Sequence, residues 1–304
     1  MKVLIIGLGS IARKHIKALH EIGEFEIYAL RSQLDSPDVE NIKNIYDWEH
    51  IKSHNFDFFL VSNPTSEHAS TITKLVDYRK PLFIEKPIFN KPGAENKDLI
   101  NSIKTAQIST YIACNLRFLD CISEIKEIVK SSKINEVNIY CGSYLPDWRP
   151  GVDFRKVYSA NQEMGGGVHI DLIHELDYLF WLFGEPLNTR STFKNNSSLN
   201  ISAIDYANYL WEYEGFSANL VLNYYRKDTK RTLEILTSDA TYLVDLINNR
   251  IFKDNLEVYS SDQKISDTYL AQMNYFINNV LINKESSLNS AQEAYKILQL
   301  CIQE

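Results

Sequence analysis

The first 115 residues alternate short apolar runs with segments of helical periodicity. The runs lie at 2–6, 25–30, 56–61, 81–85 and 109–114, and the helical segments lie near 11–22, 67–78 and 92–107. The runs lack the polar–apolar alternation of a half-exposed strand, so repeated strand–helix–strand units predict a parallel sheet covered on both faces. Residues 35–54 are polar and irregular, and we expect a short strand and helix there, joined by loops.

The pattern changes after about residue 117. It predicts a helix at 119–131, a strand at 136–144 and, after a loop and a glycine-rich segment, a helix at about 168–183. Strands follow at 203–213, 216–225, 231–237 and 240–246, with hairpin turns at Glu214-Gly215 and Ser238-Asp239, and helices near 266–282 and 290–303. Runs of strands after a strand–helix half indicate a separate α+β domain with an open antiparallel sheet.

A glycine turn follows the first strand directly. Gly7-Leu8-Gly9-Ser10-Ile11-Ala12 begins where the apolar run Lys2–Ile6 ends. Gly7 permits a sharp turn, Gly9 lets the backbone approach a pyrophosphate without a Cβ, and the small Ala12 lets the helix pack close to the strand. The helix N-terminus adds N–H donors and the positive end of its dipole. The alternative is an ordinary glycine turn of an α/β protein.

These elements predict two domains, consistent with a chain of 304 residues. We expect an α/β protein with a Rossmann dinucleotide-binding domain at residues 1–117. We expect residues 118–304 to form an α/β domain with an open, mainly antiparallel sheet that carries the substrate-binding residues. Its last helix can pack back on the first domain. The predicted cofactor contacts in the first turn are Gly7, Gly9, Ser10, Ile11 and Ala12.

The end of the second strand favours NADP over NAD. An acidic residue that binds the ribose 2′-hydroxyl is expected about 20 residues after the glycine turn. Here the strand ends in Arg31 and Ser32 instead. A guanidinium can pair with a 2′-phosphate and stack on adenine, so both residues are predicted cofactor contacts. The alternative is a solvated Arg31, with Asp35 binding the ribose and NAD as the cofactor.

Two later strand ends carry further candidates. After the run at 58–61, Asn63, Pro64, Thr65 and His68 lie where open α/β sheets bind ligands, although His68 is equally consistent with a structural donor. The next strand ends in Glu85-Lys86-Pro87. A buried Glu-Lys pair is costly unless it is paired or used, and Pro87 favours an extended turn that aims Lys86 over the strand ends. A nicotinamide would lie there.

A glycine run opens a helix that carries polar residues among apolar ones. Gly165-Gly166-Gly167 can bring backbone close to a ligand, and Asp171, His174 and Asp177 follow at three-residue steps, which places them on one helical face. Polar groups on an otherwise buried helix need partners, and a catalytic cleft is one place to find them. A metal site is the weaker interpretation because Lys86 would be a poor neighbour for a cation, and we predict none.

The loop before the glycine run is cationic and aromatic. Aromatic faces stack on sugar rings, and guanidinium groups bind carboxylates or phosphates. The loop therefore predicts a substrate site for an acidic sugar or sugar nucleotide, unless it is a surface loop with a structural tryptophan. Arg226, Lys227 and Arg231 can add charge to this pocket or be solvated. The predicted contacts in the loop are Trp148, Arg149, Arg155 and Tyr158.

Charge and composition exclude several classes. The net charge is −7 and the pI about 5.6, which disfavours a nucleic-acid partner. No apolar run reaches the ~18 residues of a membrane span, and no signal peptide is visible. The cysteines lack metal-ligand spacing, so we expect reduced thiols in a cytoplasmic protein with no membrane partner. They are Cys114, Cys121, Cys141 and Cys301.

Together these motifs resemble the glucose–fructose oxidoreductase/inositol dehydrogenase (GFO/IDH/MocA) family over nearly the whole chain. The most specific pair is Glu85-Lys86-Pro87 followed by the glycine run with its Asp and His. The resemblance implies hydride transfer at a sugar or polyol carbon, and a homodimer or homotetramer formed through the C-terminal sheet. More loosely, the chain resembles members linked to nonulosonic (sialic-acid-like) sugar metabolism. The remaining matching segments are Gly7–Ala12, Asn63–His68, Asn115–Phe118 and Trp181–Gly184.

The resemblance also implies roles. Lys86 would polarise the reacting oxygen and orient the nicotinamide, His174 would be the general acid/base, and Asp171 would orient the sugar. By the same resemblance Glu85, Lys86 and Asn115 contact the cofactor. Substrate contacts are Lys86, Arg117, His169, Asp171 and His174.

One departure leaves alternatives open. The family commonly separates this Asp and His by four residues, and here the spacing is three. The proton role is therefore open between His174 and Lys86, and His169 is a further candidate. Rival interpretations are a catalytically silent, cofactor-sensing regulator and an imine- or tetrapyrrole-type reductase. The retained Lys86, Asp171 and His174 oppose the first, and the cationic loop opposes the second.

Overall fold

The computed structural model describes residues 1–31 and 38–303. The chain forms two compact units. The first contains residues 1–115 and 269–299, and the second contains residues 116–268 with a short return after residue 299. The change between units at 115/116 lies two residues before the predicted domain boundary.

The first unit is built on a parallel six-stranded sheet. Its strand order is β3-β2-β1-β4-β5-β6, so the order reverses beside β1. In open α/β sheets such a reversal creates a crevice at the carboxyl ends of the strands. The strands are β1 (Lys2–Ile6), β2 (Glu26–Leu30), β3 (Ile42–Ile45), β4 (Phe58–Val61), β5 (Leu82–Ile84) and β6 (Thr110–Ile112). The helices are α1 (Ser10–Ile22), α2 (Trp48–Ile51), α3 (His68–Val76) and α4 (Ala94–Thr105).

The sequence pattern explains these elements. All four residues of β4 are buried, as expected for a strand covered on both faces. In α1 the buried positions Ala12, His15, Ile16 and Leu19 repeat at helical spacing and form one packed stripe. A histidine therefore occupies a position of the stripe that an aliphatic residue would ordinarily fill.

The second unit contains an eight-stranded mixed sheet. Its order is β14-β13-β12-β11-β7-β10-β9-β8, and within it only β7 and β10 pair in parallel. Its strands are β7 (Ile134–Tyr144), β8 (Asn188–Lys194), β9 (Tyr206–Tyr213), β10 (Phe216–Asn223), β11 (Tyr225–Thr237), β12 (Thr241–Asp245), β13 (Arg250–Lys253) and β14 (Leu256–Ser260). Its helices are α5 (Asp120–Val129), α6 (Val168–Asp171) and α7 (Ile173–Phe183).

One face of this sheet is covered and the other is open. Along β9, Ala207, Tyr209 and Trp211 are fully buried, whereas the residues between them are half-exposed. Both predicted hairpins are confirmed, since β9–β10 and β11–β12 pair antiparallel. The pattern missed β8, β13 and β14. The strands β8 and β14 are the two edges of the sheet and β13 has only four residues, and all three carry polar residues with little apolar periodicity.

The last segment lies mostly with the first unit. It comprises α8 (Thr268–Tyr275), a π-helical continuation (Phe276–Ile282) and α9 (Ala291–Ile302). Phe276 stacks edge-on against Phe58 and Phe83 at 5.4 and 5.3 Å between ring centroids, which anchors the segment on the parallel sheet. No helix in the described part of the chain has the length and apolar character needed to cross a bilayer.

Candidate functional site

The turn after β1 requires glycine. Gly7 has a φ of 87°, and a Cβ on it would lie 2.6 Å from the backbone of Asn63. Ser62 Oγ donates to the Gly7 carbonyl at 2.9 Å, and this bond holds the segment after β1 against the segment after β4. The connections leaving β1 and β4 therefore meet at the point where the strand order reverses.

The start of α1 is open and fits a pyrophosphate. Gly9 is the N-cap and has no side chain that could cap the helix. A Cβ on it would meet no atom within 4 Å. The N–H groups of Ser10 and Ile11 begin the helix, where the dipole favours an anion. Ala12 is fully buried, as close helix–strand packing requires.

A cavity of about 480 Å³ lies at the carboxyl ends of β1, β2 and β4. Several of its lining residues were not among the predicted cofactor contacts. Among them, Tyr46 and Trp48 lie in the irregular polar segment, and Lys74 looks like an ordinary surface lysine of α3. The Lys74 ammonium lies 4.7 Å from the centroid of the Trp48 ring. Other lining residues are Ile6, Gly7, Leu8, Leu30, Arg31, Asn63, Pro64, Glu67, Ser70 and Thr71.

The structure places Arg31 in this cavity. Its Nη1 donates to Asn44 Oδ1 at 3.3 Å, and Asn44 Nδ2 donates to Asp38 Oδ1 at 2.7 Å. The guanidinium therefore contacts the neutral amide of Asn44. Ser32 and Asp35, the other predicted residues of this strand end, lie outside the described residues.

His68 has a structural position. Its Nε2 lies 3.1 Å from the Asn63 carbonyl, and its Nδ1 lies 3.1 and 3.2 Å from the carbonyls of Pro87 and Ile88. Burial lowers the pKa of the ring, with these backbone contacts opposing the shift. The ring ties the turn after β4 to the turn that carries Lys86, and Thr65 begins the 3₁₀ turn before it. The predicted cofactor contact of His68 stays a prediction.

Glu85 connects Lys86 to α1. Glu85 Oε1 lies 2.5 Å from Nε2 of the buried His15, and Oε2 accepts from the Lys86 backbone N–H at 3.2 Å. Lys86 is half-buried, and its bond to Pro87 is cis. Asn115 is 5% exposed at the end of the first unit. The expected cost of burying Glu85 is therefore offset by a histidine of α1, which was not among the predicted site residues.

In the second unit, Asp177 forms an ion pair with Arg117. The guanidinium makes two bonds, from Nε to Oδ2 at 2.9 Å and from Nη2 to Oδ1 at 2.7 Å. Both residues are at most 2% exposed. The expectation that Asp177 shares a cleft face with Asp171 is therefore wrong, and the geometry gives Arg117 a partner inside the unit instead of an exposed, substrate-facing position.

The helix after the glycine run is broken. The α6 helix ends at Asp171, Leu172 has φ −100° and ψ 29°, and α7 starts at Ile173. The predicted single helix is wrong at this residue, so Asp171 and His174 belong to consecutive helices. Asp171 is half-buried, and its Oδ2 accepts from the hydroxyl of fully buried Tyr224 at 2.5 Å. Tyr224 was not among the predicted site residues.

Glu175 occupies the position four residues after Asp171. It is fully buried, and its Oε1 accepts from Arg231 Nε at 2.6 Å. A carboxylate held in this way faces the sheet, whereas His174 is half-buried. His174 therefore remains the candidate for the histidine that the resemblance implies, despite the shorter spacing, and Arg231 is a structural partner of Glu175.

The glycine run packs against its own chain. A Cβ on Gly166 would overlap the Tyr158 carbonyl, and the Tyr158 hydroxyl donates to the Gly165 carbonyl at 2.8 Å. At Gly166 the missing Cβ lets the backbone approach the Tyr158 carbonyl, and the expectation that the run brings backbone close to a ligand stays a prediction. His169 follows the run, is 9% exposed, and its pKa falls to about 4 because burial disfavours the charged ring.

The cationic loop is exposed. Trp148 is 40% exposed, its Nε1 donates to Ser143 Oγ at 2.9 Å, and its ring meets Tyr224 edge-on at 5.3 Å. Arg149 and Arg155 are exposed, and Arg155 lies over the Phe154 ring at 4.5 Å. The loop thus adjoins Tyr224, the residue that holds Asp171. Within the described residues, no group of His, Cys, Asp or Glu side chains could hold a metal ion.

Two family models match the chain. The model described as "Oxidoreductase family, NAD-binding Rossmann fold" matches residues 1–112, and that described as "GFO/IDH/MocA C-terminal domain" matches residues 122–243. A myo-inositol 2-dehydrogenase from Thermotoga maritima is 25% identical over 195 residues, 62% of this chain and 56% of that protein. The chain spans about half the length of the curated relatives that it matches.

Solved structures share the fold. UDP-N-acetylglucosamine 3-dehydrogenase from Acidithiobacillus ferrooxidans superposes with a TM-score of 0.80 at 18% identity, covering 100% of this chain and 96% of that one. An oxidoreductase from Agrobacterium radiobacter, in complex with NAD⁺, L-tartaric acid and magnesium, gives 0.81 at 17% identity, covering 99% and 94%.

We expect Asp177→Ala to lower the free energy of unfolding by about 3–5 kcal/mol, because it leaves the Arg117 charge buried without its carboxylate. Urea unfolding measures this. Asp228→Ala is the matched control, since Asp228 is 83% exposed in its pair with Arg226 and its loss should cost at most about 1 kcal/mol. Equal effects for the two variants would contradict the structural assignment.

His169 should make stability depend on pH. Its pKa is near 4 in the folded chain and about 6.5 when unfolded, so the unfolded chain binds the proton first as pH falls. Stability is complete above pH ~6.5 and should decrease by about 3 kcal/mol toward pH 4. Urea unfolding across this range should show a shallower decline for His169→Phe than for the parent. If the free energy of unfolding fell equally with pH in the parent and in His169→Phe, the low pKa assigned to His169 would be contradicted.

Proposed function

The chain belongs to the GFO/IDH/MocA oxidoreductase family, and from this premise we propose that it is an NADP(H)-preferring oxidoreductase. It transfers a hydride to or from a carbon of a sugar, sugar acid or sugar nucleotide. The observation that carries the proposal is the cavity at the reversal of strand order, lined by Gly7, Asn63 and Arg31. The open N-terminus of α1 beside it suits a pyrophosphate.

The preference for NADP(H) is supported by the charges of the cavity. Arg31 and Lys74 both line it, and the residue that follows β2 is Arg31, where an NAD enzyme commonly carries a carboxylate. A 2′-phosphate would accept charge-assisted hydrogen bonds from such cations. Trp48 offers an aromatic face beside Lys74. The NAD⁺ bound to the Agrobacterium oxidoreductase makes NAD(H) the alternative.

The bound nicotinamide would supply the hydride acceptor or donor. Lys86 would polarise the reacting oxygen with its ammonium, and His174 would take or return the hydroxyl proton. Asp171 would orient the sugar, with one carboxylate oxygen held by Tyr224. Lys86 lies in the first unit, and the other three residues lie in the second. Each role is assigned through the family and stands as a proposal.

The substrate class follows from the exposed loop and the relatives. Trp148 offers a ring for sugar stacking, and Arg149 and Arg155 offer forks for a carboxylate or phosphate. The named relatives act on myo-inositol and UDP-N-acetylglucosamine. We therefore propose an anionic sugar or sugar nucleotide, including the nonulosonic-acid type, as the preferred substrate.

A homodimer or homotetramer through the second unit's sheet is also proposed. The open face has a depression of about 610 Å³, lined in part by Asn138, Leu210 and Asn219. An uncovered sheet face of mixed polarity is suited to pairing with a second copy. Light scattering after size-exclusion chromatography measures the assembly.

The activity is tested with purified protein, NADP⁺ or NAD⁺, and a panel of myo-inositol, UDP-N-acetylglucosamine, glucuronate and UDP-glucuronate. Reduced nicotinamide is followed by absorbance. Turnover with an anionic member and NADP⁺ supports the proposal. Saturable cofactor binding without turnover on this panel or its oxidised counterparts would favour the cofactor-sensing regulator.

Arg31→Ala should weaken the binding of NADPH by about 10–100-fold and the binding of NADH by less than about threefold, since only NADPH carries the 2′-phosphate. Dissociation constants come from fluorescence titration. Lys17→Ala, which removes an exposed cation of α1, is the control and should change neither. Equal weakening of both cofactors by Arg31→Ala would end the 2′-phosphate assignment.

Lys86→Ala should reduce kcat by about 10²–10⁴-fold and leave the NADPH dissociation constant within about threefold. The reason is that Lys86 acts on the reacting oxygen more than on the bound nucleotide. Steady-state kinetics with the best panel substrate measure it, and the exposed Lys91→Ala is the control. A fully active Lys86→Ala protein would contradict the catalytic role.

A further inference from the structure

A buried histidine joins the helix after the glycine turn to the residue beside Lys86. His15 in α1 is 0% exposed, and its Nε2 lies 2.5 Å from Glu85 Oε1. Its ring packs edge-on against Phe83 at 4.9 Å and lies 5.7 Å from the Tyr269 ring. The contact links residues 70 positions apart and ties α1 to the end of β5.

The Glu85 carboxylate bridges two parts of the first unit. One oxygen meets His15, and the other accepts from the Lys86 backbone N–H at 3.2 Å. Glu85 is only 9% exposed, so its carboxylate depends on these donors for the hydrogen bonds that water would otherwise supply. The imidazole therefore restrains a carboxylate that in turn restrains the backbone of Lys86.

We propose that His15 is a positioning residue for Lys86. It acts through Glu85, and it fixes the point from which the Lys86 side chain projects; the proposal rests on the proposed function, in which Lys86 acts on the reacting oxygen. His15 lies in the helix whose N-terminus is assigned to the pyrophosphate. One rigid element thus sets both the cofactor phosphates and the lysine, which is the kind of support that precise catalytic geometry requires.

Stability and positioning can be separated experimentally. Removing one partner of a buried pair leaves the other without a hydrogen bond and destabilises the fold. Replacing both partners with apolar groups can restore stability without restoring the link. A double variant therefore distinguishes a residue that only stabilises from one that also positions Lys86.

The test compares His15→Phe, the double variant His15→Phe/Glu85→Leu, and His15→Gln, which keeps an N–H donor. Leu19→Ala is the matched control, because Leu19 is fully buried in the same helix and lies outside the pair. Four quantities are measured: the thermal midpoint, the NADPH dissociation constant, kcat and KM with the best panel substrate, and the acetylation rate of Lys86 by mass spectrometry. Exposed Lys17 is the internal reference.

The double variant should recover the parent's thermal midpoint, yet keep kcat at least about tenfold low. Its Lys86 acetylation, relative to Lys17, should differ at least about threefold from the parent. His15→Gln should retain most of kcat. Leu19→Ala should lower the midpoint while leaving kcat and Lys86 acetylation at parental values.

A stable double variant with parental kcat and parental Lys86 acetylation would overturn the proposal. If no panel substrate is turned over, acetylation decides alone, since it needs neither substrate nor cofactor. Altered acetylation then supports the positioning role even though the proposed function has failed, and unaltered acetylation overturns the role.

Discussion

Buried carboxylates need hydrogen-bonding partners, and in both units the side chains that supply them connect distant parts of the sequence. A buried carboxylate loses its hydrogen bonds to water and remains charged only when donors of the protein replace those bonds. Each of three such groups is held by a side chain that is distant in sequence. One pair braces the end of β5, one joins the start of the second unit to α7, and one joins α7 to the sheet. The pairs are Glu85 with His15, Asp177 with Arg117, and Glu175 with Arg231.

These pairs separate structural acids from functional candidates. The helices after the glycine run carry several polar residues close in sequence. Asp177 and Glu175 face buried cations, whereas Asp171 is half-buried and accepts from the neutral hydroxyl of Tyr224. The break at Leu172 places Asp171 and His174 in consecutive helices despite their three-residue spacing.

Much of the first unit could be predicted because its signals are local. Gly7, the apolar strands and Arg31 belong to one short pattern, and the structure places them around one cavity. Trp48 and Lys74 could not be predicted, since only the fold brings α2 and α3 to that cavity. His15 and Tyr224 were missed for the same reason, because a buried histidine or tyrosine looks like core until its partner is known.

The central claim is that the cavity at the strand reversal binds NADP(H), and titration of the protein with NADPH and NADH tests it most directly. Trp48 lines the cavity, so its fluorescence reports occupancy, with Trp48→Phe as the control for the signal. The account predicts saturable binding, with NADPH at least about tenfold tighter than NADH. No saturable binding of either nucleotide, by fluorescence and by calorimetry, would contradict it.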